Sequence, residues 1–104
     1  MIKVRISKKD NVIQSIHCKG HAMYDDYGKD IVCASFSTMI ITTINAILEF
    51  DKEAISYTDT NDLKIINIKK DNITNGLLNN LVHMIKELKE NYDKTINVKE
   101  ENHE

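Results

Sequence analysis

His21 and Cys33 are the side chains of this sequence whose types and spacing could do chemistry. An imidazole can accept the proton of a neighbouring thiol, and the resulting ion pair stabilises a thiolate nucleophile. The segment between them has no apolar period and is rich in Asp, Tyr and Gly, which is typical of loops that carry function. Gly20 and Gly28 stand at the ends of this segment, where they would permit positive φ or close approach of a substrate, or, for Gly28, simply form a turn. If folding brings the His21 imidazole next to the Cys33 thiol, the pair would form a cysteine nucleophile and its general base.

The surrounding sequence predicts an α+β domain of two layers, with two helices packed on one face of a mainly antiparallel sheet. Apolar residues alternate with charged ones near the start, which is typical of a half-buried strand, and recur at spacings of three and four in two later segments, which predicts helices. The predicted elements are strands at 2–7 and 12–19, a helix at 31–50, strands at 54–58 and 63–69, a helix at 73–91 and an optional last strand at 94–99. The order is therefore ββαββα, with or without a final strand.

Composition and charge limit the classes of function. The chain has 104 residues, of which 41% are hydrophobic and 29% charged, as expected of one domain with one core. That domain is predicted at residues 1–99, followed by a solvated tail at 100–104. A net charge of -2 and basic runs no longer than two lysines argue against a direct nucleic-acid partner. With no predicted signal peptide or membrane span, we expect a cytoplasmic protein with free thiols and no membrane partner.

The predicted start of the first helix gives a second reason for reactivity at Cys33. If Asp30 is the N-cap, Cys33 is the third helical residue and lies beside backbone N–H groups that lack helical partners. These groups favour the thiolate and can donate to the oxyanion that forms when sulfur attacks a carbonyl. Asp30 could instead orient His21. Ser37, one turn later, could donate toward the sulfur or the substrate, or bond back to its own helix.

Two further interpretations of these residues remain open from the sequence. Free cysteines are commonly inert packing, and Cys33 could be one of them. Zinc is the other alternative, because His17, Cys18, His21 and Cys33 are all of ligand type. Adjacent strand residues point to opposite faces, however, so His17 and Cys18 cannot both bind one ion. That leaves three ligands at most, and zinc stays a minor hypothesis.

The motifs "GHA" at 20–22 and "DIVCAS" at 30–35, followed by Ser37, resemble the ribosomal-processing cysteine protease family called Prp. The similarity also covers the opening strands, the long helix after the cysteine, the second hairpin and the last helix, and so all but the tail. It implies a cysteine endopeptidase that removes the N-terminal extension of a bacterial large-subunit ribosomal protein. By this resemblance Cys33 is the nucleophile, His21 is the general base and then acid, and the supporting positions are Gly20, Asp30 and Ser37.

The resemblance also implies a homodimer without a cofactor, and a mobile loop between histidine and cysteine that closes on substrate, here about Ala22 to Lys29. Phe36 departs from the pattern, because a smaller apolar residue is expected there. The alternative is a noncatalytic ribosome-associated binding module with the same fold, which would retain Cys33 as packing. Thiol reactivity distinguishes the two.

Overall fold

The described part of the chain forms five strands and two helices in the predicted order. A computed structural model describes the backbone of residues 1–20 and 27–103 and the side chains of residues 1–20 and 31–103. The strands are β1 (Ile2–Lys9), β2 (Val12–Lys19), β3 (Ile55–Asp59), β4 (Leu63–Asn67) and β5 (Ile96–Asn102), and the helices are α1 (Tyr27–Phe50) and α2 (Asn72–Asn91). The optional last strand is therefore present.

The strands form one sheet in the order β3-β4-β2-β1-β5. Three strand pairs, β1–β2, β2–β4 and β3–β4, are antiparallel, whereas β5 runs parallel to β1. The chain reaches β5 through α2, since a parallel neighbour needs a crossover connection rather than a hairpin. The prediction of an α+β fold with a mainly antiparallel sheet is confirmed.

The core lies between the two helices and one face of the sheet. Val4 pairs with Cys18 and Ile6 with Ile16, and all four side chains are buried on this face. Both helices contribute large, fully buried side chains to the same cluster, including Phe36, Ile40, Ile47, Leu78, Leu81 and Ile85. Full burial of such a side chain contributes about 1.5–3 kcal/mol. Because buried and exposed residues alternate along the strands, the face of the sheet turned away from the helices is mostly polar.

Helix α1 has an unusual composition. Its residues Ile31–Phe50 are long and apolar enough to cross a membrane by length and composition, as is also true of many core helices of globular domains. One side of α1, which includes Val32 and Ile44, packs into the core. The outer side is exposed, yet no charged residue occurs between Ile31 and Leu48. The helix therefore has an exposed, uncharged face.

The predicted start of α1 is wrong. The helix begins at Tyr27 rather than Ile31, so Asp30 is its fourth residue and not its N-cap. Apolar spacing defines a helix only where side chains enter the core, and residues 27–30 have no such period. An acidic residue is favourable in the first turn as well as at the cap, because both positions lie near the positive end of the helix dipole. Asp30 is therefore compatible with both starts.

Strand β5 extends three residues into the predicted solvated tail, whose first residues stay largely exposed. Strand β5 continues through Asn102, and residues 100–102 pair with residues 6–8 of β1. The Glu100 carboxylate lies 3.0 Å from Lys86 Nζ and 3.6 Å from Lys8 Nζ. The hydrogen bond from Lys86 is the main cause that lowers the pKa of Glu100. These ion pairs thus stabilise the last part of β5, where residues 100–102 carry no apolar side chain.

Candidate active site

Cys33 lies in the second turn of α1, at the margin of the core. It is the seventh residue of the helix, is partly buried, and packs against the core cluster. Helical side chains tilt toward the N-terminus of their helix, so Cys33 leans toward the first turn rather than away from it. Ser37, one turn later, is also partly buried. Cys33 is therefore partly exposed, and as a helical side chain it leans toward the start of α1.

The position of Cys33 changes the predicted activation of its thiol. Helix α1 starts at Tyr27, so the N–H groups of its first turn belong to residues 27–30. Cys33 is one turn further along, and the effect of the helix dipole falls off within the first turn. The expectation that Cys33 is the third helical residue is thus wrong. The amides of the first turn still lie on the side toward which its side chain leans, because Cys33 is only about 4.5 Å along the helix axis from Asp30.

Cys18 differs sharply from Cys33. It lies on the core face of β2 with no exposed surface, and neither cysteine is part of a disulfide. Burial raises the pKa of Cys18 to about 12, because an apolar surrounding disfavours the charged thiolate. Cys18 is therefore an inert packing residue.

His17 lies on the opposite face of β2 from Cys18, as the alternation predicts. Its Nε2 is 3.2 Å from Asp62 Oδ2, in the turn before β4. Among residues 1–20 and 31–103, no group of three His, Cys, Asp or Glu side chains is arranged to hold a metal ion. The sequence did not indicate the contact between His17 and Asp62, because strand pairing brings together residues that are far apart in the chain.

The connection from β2 to α1 carries the remaining candidate residues. Gly20 directly follows β2 and has a φ of 79°, a left-handed conformation that glycine adopts without strain. His21 follows directly, but it lies outside the described residues, as do residues 22–26 of the predicted mobile loop. Residues 27–29 of that loop belong to α1 instead. Gly28 is helical and so does not form a turn.

Comparison with known proteins identifies the family. A sequence model described as cysteine protease Prp matches residues 1–97. The chain belongs to this family. It is 37% identical over 62 residues to the ribosomal processing cysteine protease Prp of Staphylococcus aureus strain Mu50, a match that covers 57% of this chain and 58% of that relative. The resemblance read from the motifs is therefore confirmed.

Solved structures of the Prp family have the same fold. The essential ribosomal processing protease Prp from S. aureus, in complex with a substrate peptide, has a TM-score of 0.88 and 24% identity, and the match covers 97% of this chain and 100% of that one. The same S. aureus protease with a covalently linked product peptide gives a TM-score of 0.84 at 25% identity, with the same coverage. The Prp fold therefore extends over essentially all of this chain.

Proposed function

We propose that the protein is a cysteine endopeptidase that removes the N-terminal extension of a bacterial large-subunit ribosomal protein. The observation that carries this proposal is the match to the cysteine protease Prp family over residues 1–97, a range that contains both His21 and Cys33. The structure adds that Cys33 is the accessible thiol of the two, whereas Cys18 is sealed in the core.

The proposed reaction needs only the two side chains and water. His21 takes the proton of Cys33, and the thiolate attacks the carbonyl carbon of the scissile bond. His21 then gives that proton to the leaving amine as the C–N bond breaks, which leaves a thioester on Cys33. In the second step His21 takes a proton from water, the hydroxide attacks the thioester, and the thiol returns with the release of the acid.

The first turn of α1 supports this assignment by providing hydrogen-bond donors. The backbone N–H groups of residues 27–30 would lie on the side toward which the Cys33 side chain leans, and those without helical partners could donate to the oxyanion of each tetrahedral intermediate. Gly20 would set the direction in which the chain leaves β2 and so the position of His21. Asp30, in the first turn, and Ser37, one turn after Cys33, are the remaining supporting residues of the proposed site.

The proposed substrate follows from the relatives rather than from a contact in this chain. The S. aureus relative is a ribosomal processing protease whose structure contains a substrate peptide. We assign to this chain the same class of substrate, no cofactor, a cytoplasmic location and a homodimeric state. Closure of the segment between His21 and Cys33 on the substrate would make binding part of activation, a route to specificity by induced fit.

Cleavage of a peptide that spans the junction of extension and mature protein tests the proposal. Cys33→Ala and His21→Ala are each expected to lower kcat/KM by at least about 10³-fold, as loss of one member of a catalytic unit does. Cys18→Ala removes the buried thiol and His83→Ala an exposed histidine on α2, and both controls should retain cleavage. Full activity of Cys33→Ala would refute the proposed nucleophile, and a wild-type protein without cleavage would favour the noncatalytic module.

A further inference from the structure

The face of the sheet that is turned away from the helices is a basic surface. Its exposed or half-exposed side chains alternate with the core residues of β1, β2, β4 and β5, and no helix of the described chain covers them. We define the basic face by five cationic residues and one histidine, namely Lys3, Arg5, Lys19, Lys64, Lys99 and His17. Core positions lie between neighbouring face residues on each strand, so this face produces no basic run in the sequence.

Strand pairing brings the cations into rows across the sheet. Lys64 pairs with His17, His17 with Arg5, and Arg5 with Lys99, so one row crosses four strands. Neighbouring strands lie about 4.8 Å apart, which gives this row a length of roughly 14 Å. Lys19 pairs with Lys3 in a second, shorter row. A shallow depression of about 240 Å³ lies over both rows.

The basic face stands out against the charge of the rest of the molecule. It holds five Lys or Arg side chains, and its ion pairs among the described residues include Glu101 at 3.4 Å from Arg5 and Asp62 at 3.2 Å from His17. The whole chain has 14 Lys and Arg against 16 Asp and Glu. Apart from the face and these two carboxylates, the side chains that the structure describes include 8 Lys or Arg and 10 Asp or Glu. The basic face is therefore net positive, whereas the other described side chains together are net negative.

Like charges that face each other across strands destabilise a sheet. The basic face contains two such pairs, Lys3 with Lys19 and Arg5 with Lys99. A bound anion would offset the repulsion in both. Because the cations extend along rows rather than converge on one point, the surface fits a chain of anions better than a single phosphate.

The chemistry of the face favours nucleic acid over an acidic protein. Lysine is depleted at protein–protein interfaces, whose binding energy comes mainly from aromatic and arginine anchors. Among the described residues that line the depression there is no Trp, Tyr or Phe, and three of the seven are lysines. Lysine and arginine contacts to phosphates, by contrast, supply most of the affinity of nonspecific nucleic-acid binding. Because lysines outnumber side chains that could stack on bases, the lining predicts contacts mainly to the backbone.

We infer that the basic face binds the phosphate backbone of RNA and so holds the protease beside RNA-bound substrate. The role in processing rests on the proposed function, whereas RNA binding itself depends only on the face. This inference differs from the expectation drawn from net charge and basic runs. That expectation considered only how charges are spaced along the sequence. In the fold, the sheet places alternate residues of four strands side by side, so cations far apart in the chain become neighbours.

Fluorescence anisotropy with a labelled single-stranded oligouridine of about 16 nucleotides tests the inference. Wild-type protein should bind, and neutralisation of three or four phosphates predicts a loss of roughly 20- to 50-fold in affinity between about 50 and 200 mM salt. The Lys3→Glu/Lys99→Glu variant should lose at least about 10-fold at the lower salt concentration. It converts two like-charge pairs into opposite-charge pairs, so its fold is retained.

Lys52→Glu/Lys94→Glu is the matched control, because it makes the same change in net charge at two exposed residues outside the face. Its affinity for RNA should stay within about twofold of wild type at equal salt. Equal losses in both variants, or no RNA binding by the wild type, would overturn the inference. Binding of poly-glutamate but not RNA would do so too and would identify an acidic protein as partner. Cys33→Ala should bind RNA normally, so failure of the peptidase proposal and failure of this one are separable.

Discussion

At the scale of single residues, burial decides what each cysteine can do. Cys18 and Cys33 have the same side chain, but Cys18 is fully buried on the core face of β2, whereas Cys33 lies on α1 at the edge of the core. Burial raises the pKa of Cys18 from 9.0 to about 12, which leaves about 10³-fold less thiolate at neutral pH. Residue type indicates a candidate nucleophile, and accessibility selects between the two.

Alkylation by iodoacetamide near neutral pH should therefore modify Cys33 at least about 100-fold faster than Cys18. Mass spectrometry of peptides after timed quenching measures both rates in one sample. Unfolding in guanidinium chloride provides the control, because both thiols should then react at similar rates. Equal, slow labelling in the folded protein would contradict an activated Cys33 and favour the noncatalytic module.

Gly20 is the second residue whose local geometry makes a prediction. Its φ of 79° places the backbone in the left-handed region, where an ordinary side chain costs roughly 1–2 kcal/mol. Gly20→Ala should lower the free energy of unfolding by about that amount in urea titrations. Gly20→Asn is the matched control, since asparagine tolerates this conformation better and should cost less. Equal stability of Gly20→Ala and wild type would show that the left-handed conformation is not retained.

At the scale of elements, one buried amide fixes the junction between β4 and α2. Asn67 is 2% exposed, and its Nδ2 donates to the Ile13 carbonyl and to Asn75 Oδ1, each at 2.9 Å. Its Oδ1 accepts from the Lys70 N–H at 3.0 Å. Asp71 then caps α2 by accepting from the Thr74 N–H at 2.8 Å. The end of one strand, the start of another and the start of a helix are thus held together.

Asn67→Ala should destabilise the protein by about 2–4 kcal/mol, because it leaves buried backbone groups without partners in addition to the cavity. The measurement is the free energy of unfolding in urea, with the slope of the transition checked against wild type. Asn61→Ala makes the same change at an exposed turn residue and should stay within about 0.5 kcal/mol. A similar small effect for both variants would show that the junction contributes little.

The element scale also shows which features the sequence could predict. The alternation of Ile2, Val4 and Ile6 and the helical spacing in α1 and α2 were sufficient for element type and order, since they report directly on burial. The start of α1 and the end of β5 were not predictable in this way, because both are set by hydrogen bonds and ion pairs. The motif around Cys33 identified the family, whereas no local pattern predicted the pairing that forms the basic face.

At the scale of the whole molecule, two exposed faces have opposite chemistry. The basic face would repel a second copy of itself, whereas the outer face of α1 has no charge between Ile31 and Leu48. Ile41 is 56% exposed on this helix face, and the exposed Thr38 hydroxyl is already satisfied by the Ala34 carbonyl at 2.8 Å. A two-fold interface brings a surface against itself, so an uncharged surface suits it.

The proposed homodimer is therefore expected to form through the outer face of α1. Light scattering coupled to size exclusion should give twice the 12.0 kDa of one chain for the wild type and a single-chain mass for Ile41→Glu. A two-fold axis places the new carboxylate in the interface twice, so both its desolvation and its repulsion oppose association. Ile73→Glu makes the same change at a 50% exposed residue of α2 and should leave the dimer intact. A dimer that survives Ile41→Glu must use another surface, and the like charges of the basic face argue against that one.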